Sequence, residues 1–381
     1  TIVVIGLLGA SYAILGGLRA VAVSDTLNGV GLLLVGVAVP YPGLQVLGEG
    51  SVGQGLNTVL TTETHKLNAI GGPSDPTPFA TLFTGMILAN LFYWCTNQYV
   101  IQRTLAARSL AEGQKGVLLS GFFKVLVPLL MMIPGVIAYH LYGPELRPID
   151  LAYPQLVRDV LPVYATGFFL AVLLGAVLSS FNSLINSAAT LFCIDVYQPW
   201  VGKPVTDEAL LRTAKRVGLT ITVFSLIVAP LLQFAPDGLW QLIRIFTGFY
   251  NIPMIAIVIV GLFTERVPAS AAKLVIVFHI VAYALFQFLF KELLPIHFLH
   301  LYAILFVIEV VMMLGMGLWR PRLRPARLPL EAVGDLTPWA YGKPCAVTLL
   351  SCVIALYVIF SPMGLVAGGS VYFGDILLSL A

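Results

Sequence analysis

The sequence predicts an all-α, polytopic membrane protein with about ten transmembrane helices. Three observations carry that prediction. Of 381 residues, 59% are apolar and only 10% charged, whereas an ordinary soluble domain carries about 25% charged residues. The charges cluster between long apolar runs, and roughly 20 apolar residues suffice for a helix to cross a bilayer. The basic residues also alternate in density from linker to linker, the pattern that orients helices across a membrane.

Each apolar run has to be helical, because irregular backbone facing lipid would leave its N–H and C=O groups unpaired. In chain order the runs are 1–17 and 18–46, the second holding Asp25; 77–101, after a polar linker 47–76 that turns through Gly71–Pro78; 113–142, holding Lys124; and 160–196, rich in serine. Then come 208–234; 237–263, holding Arg244; 268–291, holding His279; 297–319, holding Glu309; and 344–362. Segment 320–342, rich in Pro and Arg, reads as the main cytoplasmic loop. Val366–Ala381, broken by Gly368, Gly369 and Gly374, reads as a tail or partial helix. The whole chain reads as one transmembrane domain.

The basic residues fix the orientation. The odd-numbered linkers hold 15 of the 21 Lys and Arg residues and the even-numbered ones hold 4 (Lys66, Arg147, Arg158 and Lys291). The odd linkers are therefore expected in the cytoplasm and both chain ends outside. A net charge of +3 gives no reason to expect nucleic acid. The cysteines Cys95, Cys193, Cys345 and Cys352 all lie in apolar runs and form no metal or disulfide framework. No nucleophile–base set, phosphate loop or organic-cofactor motif is visible, so no enzyme activity is expected. The chain opens at Thr1 inside an apolar stretch without a Met, which suggests a piece of a longer protein.

Ionisable residues at membrane depth need a partner or a water-filled cavity, and they mark function by default. Asp25, Lys124 and Arg244 are the strongest such cases. Glu309 fits an intramembrane ion pair that holds helices together, and His279 fits a packed or interfacial histidine. On run 160–196, Ala176, Ser179 and Ser180 share one helix face. The serine hydroxyls, with a carbonyl freed by a helix distortion, would make an oxygen-only site suited to Na⁺; small polar residues also let helices pack closely. On run 77–101, Asn90, Tyr93 and Asn97 share a face. Amides donate and accept, as a hydroxyl-rich solute requires, and an aromatic ring packs on a sugar; the alternative is an interfacial aromatic belt.

These residues resemble a known family. The run ANLFYWCTNQYVIQRTLAARS, which holds Asn90 through Ser109, is similar to the signature of the sodium/solute symporter family in its sodium/glucose cotransporter branch. Tyr12 through Val21 followed by Ser24 and Asp25, Gly121-Phe122-Phe123-Lys124 ahead of Pro128, and Ala176 through Tyr197 resemble three further family blocks in order. The resemblance covers about residues 5–265. It implies a LeuT-type fold of two inverted five-helix repeats around a site at the bilayer midplane. Residues 1–46 would end the first repeat, 77–263 would form the second, and 268–381 would hold peripheral helices.

The resemblance also implies roles. The Ala176 carbonyl and the Ser179 and Ser180 hydroxyls would bind Na⁺, and Asp25 would lie on the ion route. Asn90 and Lys124 would hydrogen-bond the solute and Tyr93 would stack on it. Arg244 stands where sugar-transporting relatives usually carry Gln, so it could recognise an anionic solute or pair with an acid elsewhere. The expected function is sodium-coupled transport of a sugar-like polar solute across the plasma membrane, here a bacterial inner membrane, with Na⁺ as coupling ion. Symport of an organic anion and a non-transporting membrane sensor are the alternatives.

Overall fold

The computed structural model of the chain describes residues 2–147, 149–202, 205–234, 239–291, 293, 294, 296–323 and 335–366, with backbone alone at 2, 3, 8, 10–22, 233, 234 and 241. The expected C-terminal tail after Val366, the centre of the cytoplasmic loop 320–342, and Lys203 lie outside the described residues. Among those residues the α-helices are α1 (Ile2–Ala38), α2 (Pro40–Leu47), α3 (Val52–Thr61), α4 (Gly85–Cys95), α5 (Gln98–Leu105), α6 (Leu110–Val127), α7 (Ile133–Tyr142) and α8 (Ala152–Val160). They continue with α9 (Val163–Leu191), α10 (Gln198–Val201), α11 (Asp207–Val228), α12 (Leu239–Phe263), α13 (Ala269–Leu285), α14 (Phe298–Trp319) and α15 (Gly342–Ile359). No strand occurs among the described residues.

Eight of the described helical stretches are long and apolar enough to cross a membrane, and α4 is a shorter apolar helix. The outward faces of these helices are apolar too: Leu27, Phe224, Ile227, Val277 and Val311 are each more than half exposed. A helix that is apolar on every side fits lipid, and the chain is a multi-pass membrane protein. Two helix starts on polar linkers carry side-chain caps. Ser51 accepts from the Gln54 N–H and Thr206 from the Ala209 N–H, and Asp207 and Glu208 occupy the first turn of α11.

Several boundaries differ from the sequence-based expectation. The end of run 18–46 is α2; most of that run and run 1–17 are joined in α1, whose 37 residues form one unbroken helix. Such a helix is about 55 Å long, well beyond the bilayer core. Linker 47–76, expected as polar loop, contains α3. Run 113–142 passes through a π turn at Pro128–Met132. Pro128 has no N–H for the carbonyl four residues earlier, so the ladder widens there.

The chain folds as two compact units. The first holds Thr1–Lys66 and Leu119–Leu239, and the second Leu67–Leu118 and Trp240–Ala381. In the first, α1 packs along α9, α11 packs against both, and α2 packs on α7. In the second, α14 packs against α4 and α13. Its core gathers Leu88 of α4, Ile252 of α12, Tyr283 of α13 and Leu299, Tyr302 and Leu305 of α14.

Candidate functional site

In the first unit the close approach of α1 and α9 sets the geometry. Gly175 is the contact point: a Cβ there would lie 2.3 Å from Asn28 Oδ1, so a larger residue would push the Asn28 amide aside. One turn further along α9, the Ser179 hydroxyl donates to the Asp25 carboxylate of α1. Ser183 donates to the Ser179 carbonyl at 2.9 Å, and Asn28 Nδ2 donates to Ser24 Oγ at 3.4 Å. Ala176 and Ser179 are half-buried and Ser180 is exposed. Asn182 is fully buried, and among the described residues neither atom of its amide has a hydrogen-bond partner.

The donor set is a carboxylate, hydroxyls, a backbone carbonyl and an amide. Such oxygen ligands suit a hard cation. Among the described residues no cluster of His, Cys, Asp or Glu could hold a transition metal. The distortion expected to free a carbonyl is not at Ala176, because α9 is regular from Val163 to Leu191. The helix loosens into a π turn only at Phe192–Tyr197. The Ala176 carbonyl therefore has only its second lone pair to offer. Sequence reasoning missed Asn28, Asn182 and Ser183. Their signal was periodicity, since 182 and 183 follow Ser179 at the i+3 and i+4 spacing of one helix face, and 28 follows Ser24 at i+4.

Lys124 lies on α6 in the same unit, with its side chain exposed. Asn90, Tyr93 and Arg244 belong to the second unit. Asn90 Nδ2 donates to the Met86 carbonyl at 2.8 Å, and Arg244 Nη2 reaches the Met86 sulfur at 3.6 Å, so Met86 links the amide and the guanidinium. Arg244 Nη1 also donates to the Pro76 carbonyl at 3.1 Å and to Thr77 Oγ1 at 2.9 Å. Its guanidinium lies over the Phe298 ring, 5.4 Å from the centroid. Tyr93 is exposed and accepts a hydrogen bond from the Tyr99 hydroxyl at 2.9 Å.

Asn97 does not share the face of Asn90 and Tyr93. α4 ends at Cys95 and α5 begins at Gln98, with Asn97 in extended backbone between them. Thr96 Oγ1 and the Asn97 N–H both turn back to the Phe92 carbonyl. That local capping ends the helix and removes the 3.6-residue register beyond it.

The apolar spans define a polytopic membrane protein; its first unit holds an oxygen-lined crossing of α1 and α9, and its second a half-buried Arg244 guanidinium that shares Met86 with the Asn90 amide. The sodium:solute symporter family matches residues 1–276, and the chain belongs to it. It is 44% identical over 356 residues to the uncharacterized symporter YidK of Escherichia coli strain K12, covering 93% of this chain and 62% of that protein. It is 31% identical over 323 residues to the sodium/glucose cotransporter of Vibrio parahaemolyticus, covering 79% of this chain and 59% of that one. The chain thus spans about three fifths of the length of these relatives. A solved Na⁺-coupled sialic acid symporter, in a substrate-bound outward-open state, superposes with a TM-score of 0.72 at 20% identity over 86% of this chain and 67% of its own. The fold is that of this symporter.

Proposed function

We propose that the protein couples inward Na⁺ movement to transport of a small, sugar-like polar solute by alternating access. The observation that carries the reading is the Ser179–Asp25 hydrogen bond across α1 and α9. It gathers hard oxygen donors in an otherwise apolar span, where an ionisable group needs a reason to stay. In this reading Ala176, Ser179 and Ser180 bind Na⁺, and Asp25 draws the ion toward them. Asn90 and Lys124 hydrogen-bond the solute, while Tyr93 stacks on it. Na⁺ binding shifts the population toward a state that holds solute well, and the coupling is reciprocal. Membership of the family and the symporter fold support this assignment.

The experiment is sodium-dependent uptake by cells expressing the protein from its complete gene, with and without Ser180→Ala. Losing one ligand oxygen should raise the Na⁺ half-saturation about tenfold, equivalent to a hydrogen bond made to a charged group. Uptake indifferent to Na⁺ would sink the proposal. An anionic solute is the second reading, favoured by the guanidinium beside the Asn90 partner Met86. A guanidinium recognises carboxylates through its planar fork. Competition between glucose and glucuronate separates the two readings, and Arg244→Gln should abolish any preference for the acid.

A further inference from the structure

In the second unit the His279 imidazole of α13 and the Glu309 carboxyl of α14 are wholly buried, both at 0% exposure. Neither belongs to the groups described above. Nδ1 of His279 lies 2.5 Å from Glu309 Oε1, and Nε2 lies 2.9 Å from the Gly248 carbonyl of α12. The protons can be counted from these contacts. A carbonyl oxygen only accepts, so Nε2 carries a hydrogen and donates it. Nδ1 and Oε1 then require one hydrogen between them, since two would collide and none would set lone pair against lone pair. Glu309 Oε2 has no hydrogen-bond partner among the described residues, so a hydrogen there would find no acceptor; with Oε2 bare, the two residues share one proton and carry no net charge.

This bond is one of three reaching the same turn of α12. The Tyr283 hydroxyl donates to the Ile245 carbonyl at 3.1 Å, and the Tyr302 hydroxyl to the Arg244 carbonyl at 2.8 Å. The His279 ring stacks on Tyr283, with centroids 5.7 Å apart. Pro253 lies inside α12 and has no N–H for the Phe249 carbonyl. The turn at 244–248, upstream of the proline, is held from the side by these three bonds, and it carries Arg244.

We propose that His279 and Glu309 are positioning residues for solute recognition. Their shared proton keeps His279 in the form that donates to Gly248, and this fixes the turn that aims Arg244. The proposal rests on the reading of Arg244 as a solute-contacting group. The test compares Glu309→Gln with Glu309→Ala in the protein expressed from its complete gene, measuring KM for glucose and glucuronate together with Na⁺ half-saturation. A glutamine amide can donate to Nδ1 as the shared proton does, so KM should stay within about twofold of wild type. Alanine lets His279 exchange its tautomer, and KM should rise about tenfold while Na⁺ half-saturation stays put. Equal KM for the two variants, or a matching rise in Na⁺ half-saturation, overturns the proposal.

Should Glu309→Ala fail to fold, nitrogen-15 NMR of histidine-labelled wild type decides instead. One histidine should show an Nε2–H protected from solvent exchange, missing in His279→Gln; exchange of every histidine N–H at the bulk rate overturns the shared proton. In an Arg244→Gln background Glu309→Ala should no longer alter KM. If Arg244→Gln alone leaves solute choice and KM unchanged, the solute role of Arg244 has failed, and the NMR result still judges the proton by itself.

Discussion

The imidazole of His297 starts α14 by accepting a hydrogen bond from the Leu299 N–H at 3.3 Å. An acceptor nitrogen must stay unprotonated. Burial, then the nearby Arg244, His300 and Lys291 charges, push this histidine down to about 4 from its ordinary 6.5. Between those values the unfolded chain binds the proton and the folded one does not, so the contribution is complete above pH 6.5 and is lost as pH falls toward 4. The thermal midpoint of the purified protein should drop over that window, and His297→Asn, which caps without titrating, should flatten the dependence. An unchanged slope in the variant would refute the assignment. At this scale the sequence located polar residues well and their partners poorly. Asp25 and Ser179 were both visible as anomalies, but their bond crosses 154 positions and depends on how α1 meets α9. Glu309 was legible as one half of an intramembrane pair, but His279 looked like packing, so the partner became visible only where α13 meets α14.

The helices were legible as apolar runs, since lipid forces every backbone group to pair within its own segment. Their ends were less so. The stop at Thr96 arises from hydrogen bonds back to Phe92, which composition does not reveal. The union of 1–17 with 18–46 was hidden for the opposite reason: Arg19 marks the edge of an apolar run, yet a helix carries a charge past that edge without breaking. Packing between elements leaves a sharper mark in small residues. A Cβ at Gly85 of α4 would sit 1.8 Å from the Leu299 carbonyl oxygen of α14, and backbone cannot step aside as a side chain can. Gly85→Ala should destabilise the second unit by about 2 kcal/mol or more, read as a fall in thermal midpoint in detergent. Gly116→Ala, inside α6 with nothing within 4 Å of its Cβ, is the control and should leave the midpoint level or raise it slightly.

For the whole molecule, the distribution of Lys and Arg predicts a side of the membrane for each linker after α1. Two exposed acids of the first unit test it, in a background lacking the native cysteines. Glu63→Cys should react with an impermeant maleimide in intact cells, and Glu208→Cys only after the membrane is opened. The reverse pattern would invert the topology. The family and fold were readable because long motifs and apolar periodicity survive in any part of a chain. The solute was not, because the residues proposed to contact it lie far apart in sequence and each has an ordinary structural use.

The buried couple on α13 and α14 has an electrical corollary. A full charge carried across the membrane field gains or loses about 2.3 kcal/mol per 100 mV, but an imidazole and a carboxyl with one hydrogen between them present the field with nothing to pull. If α13 and α14 shift during the cycle, that couple travels silently. Any dependence of turnover on voltage must then originate elsewhere, with Asp25 and the Na⁺ site proposed beside it as the first place to look.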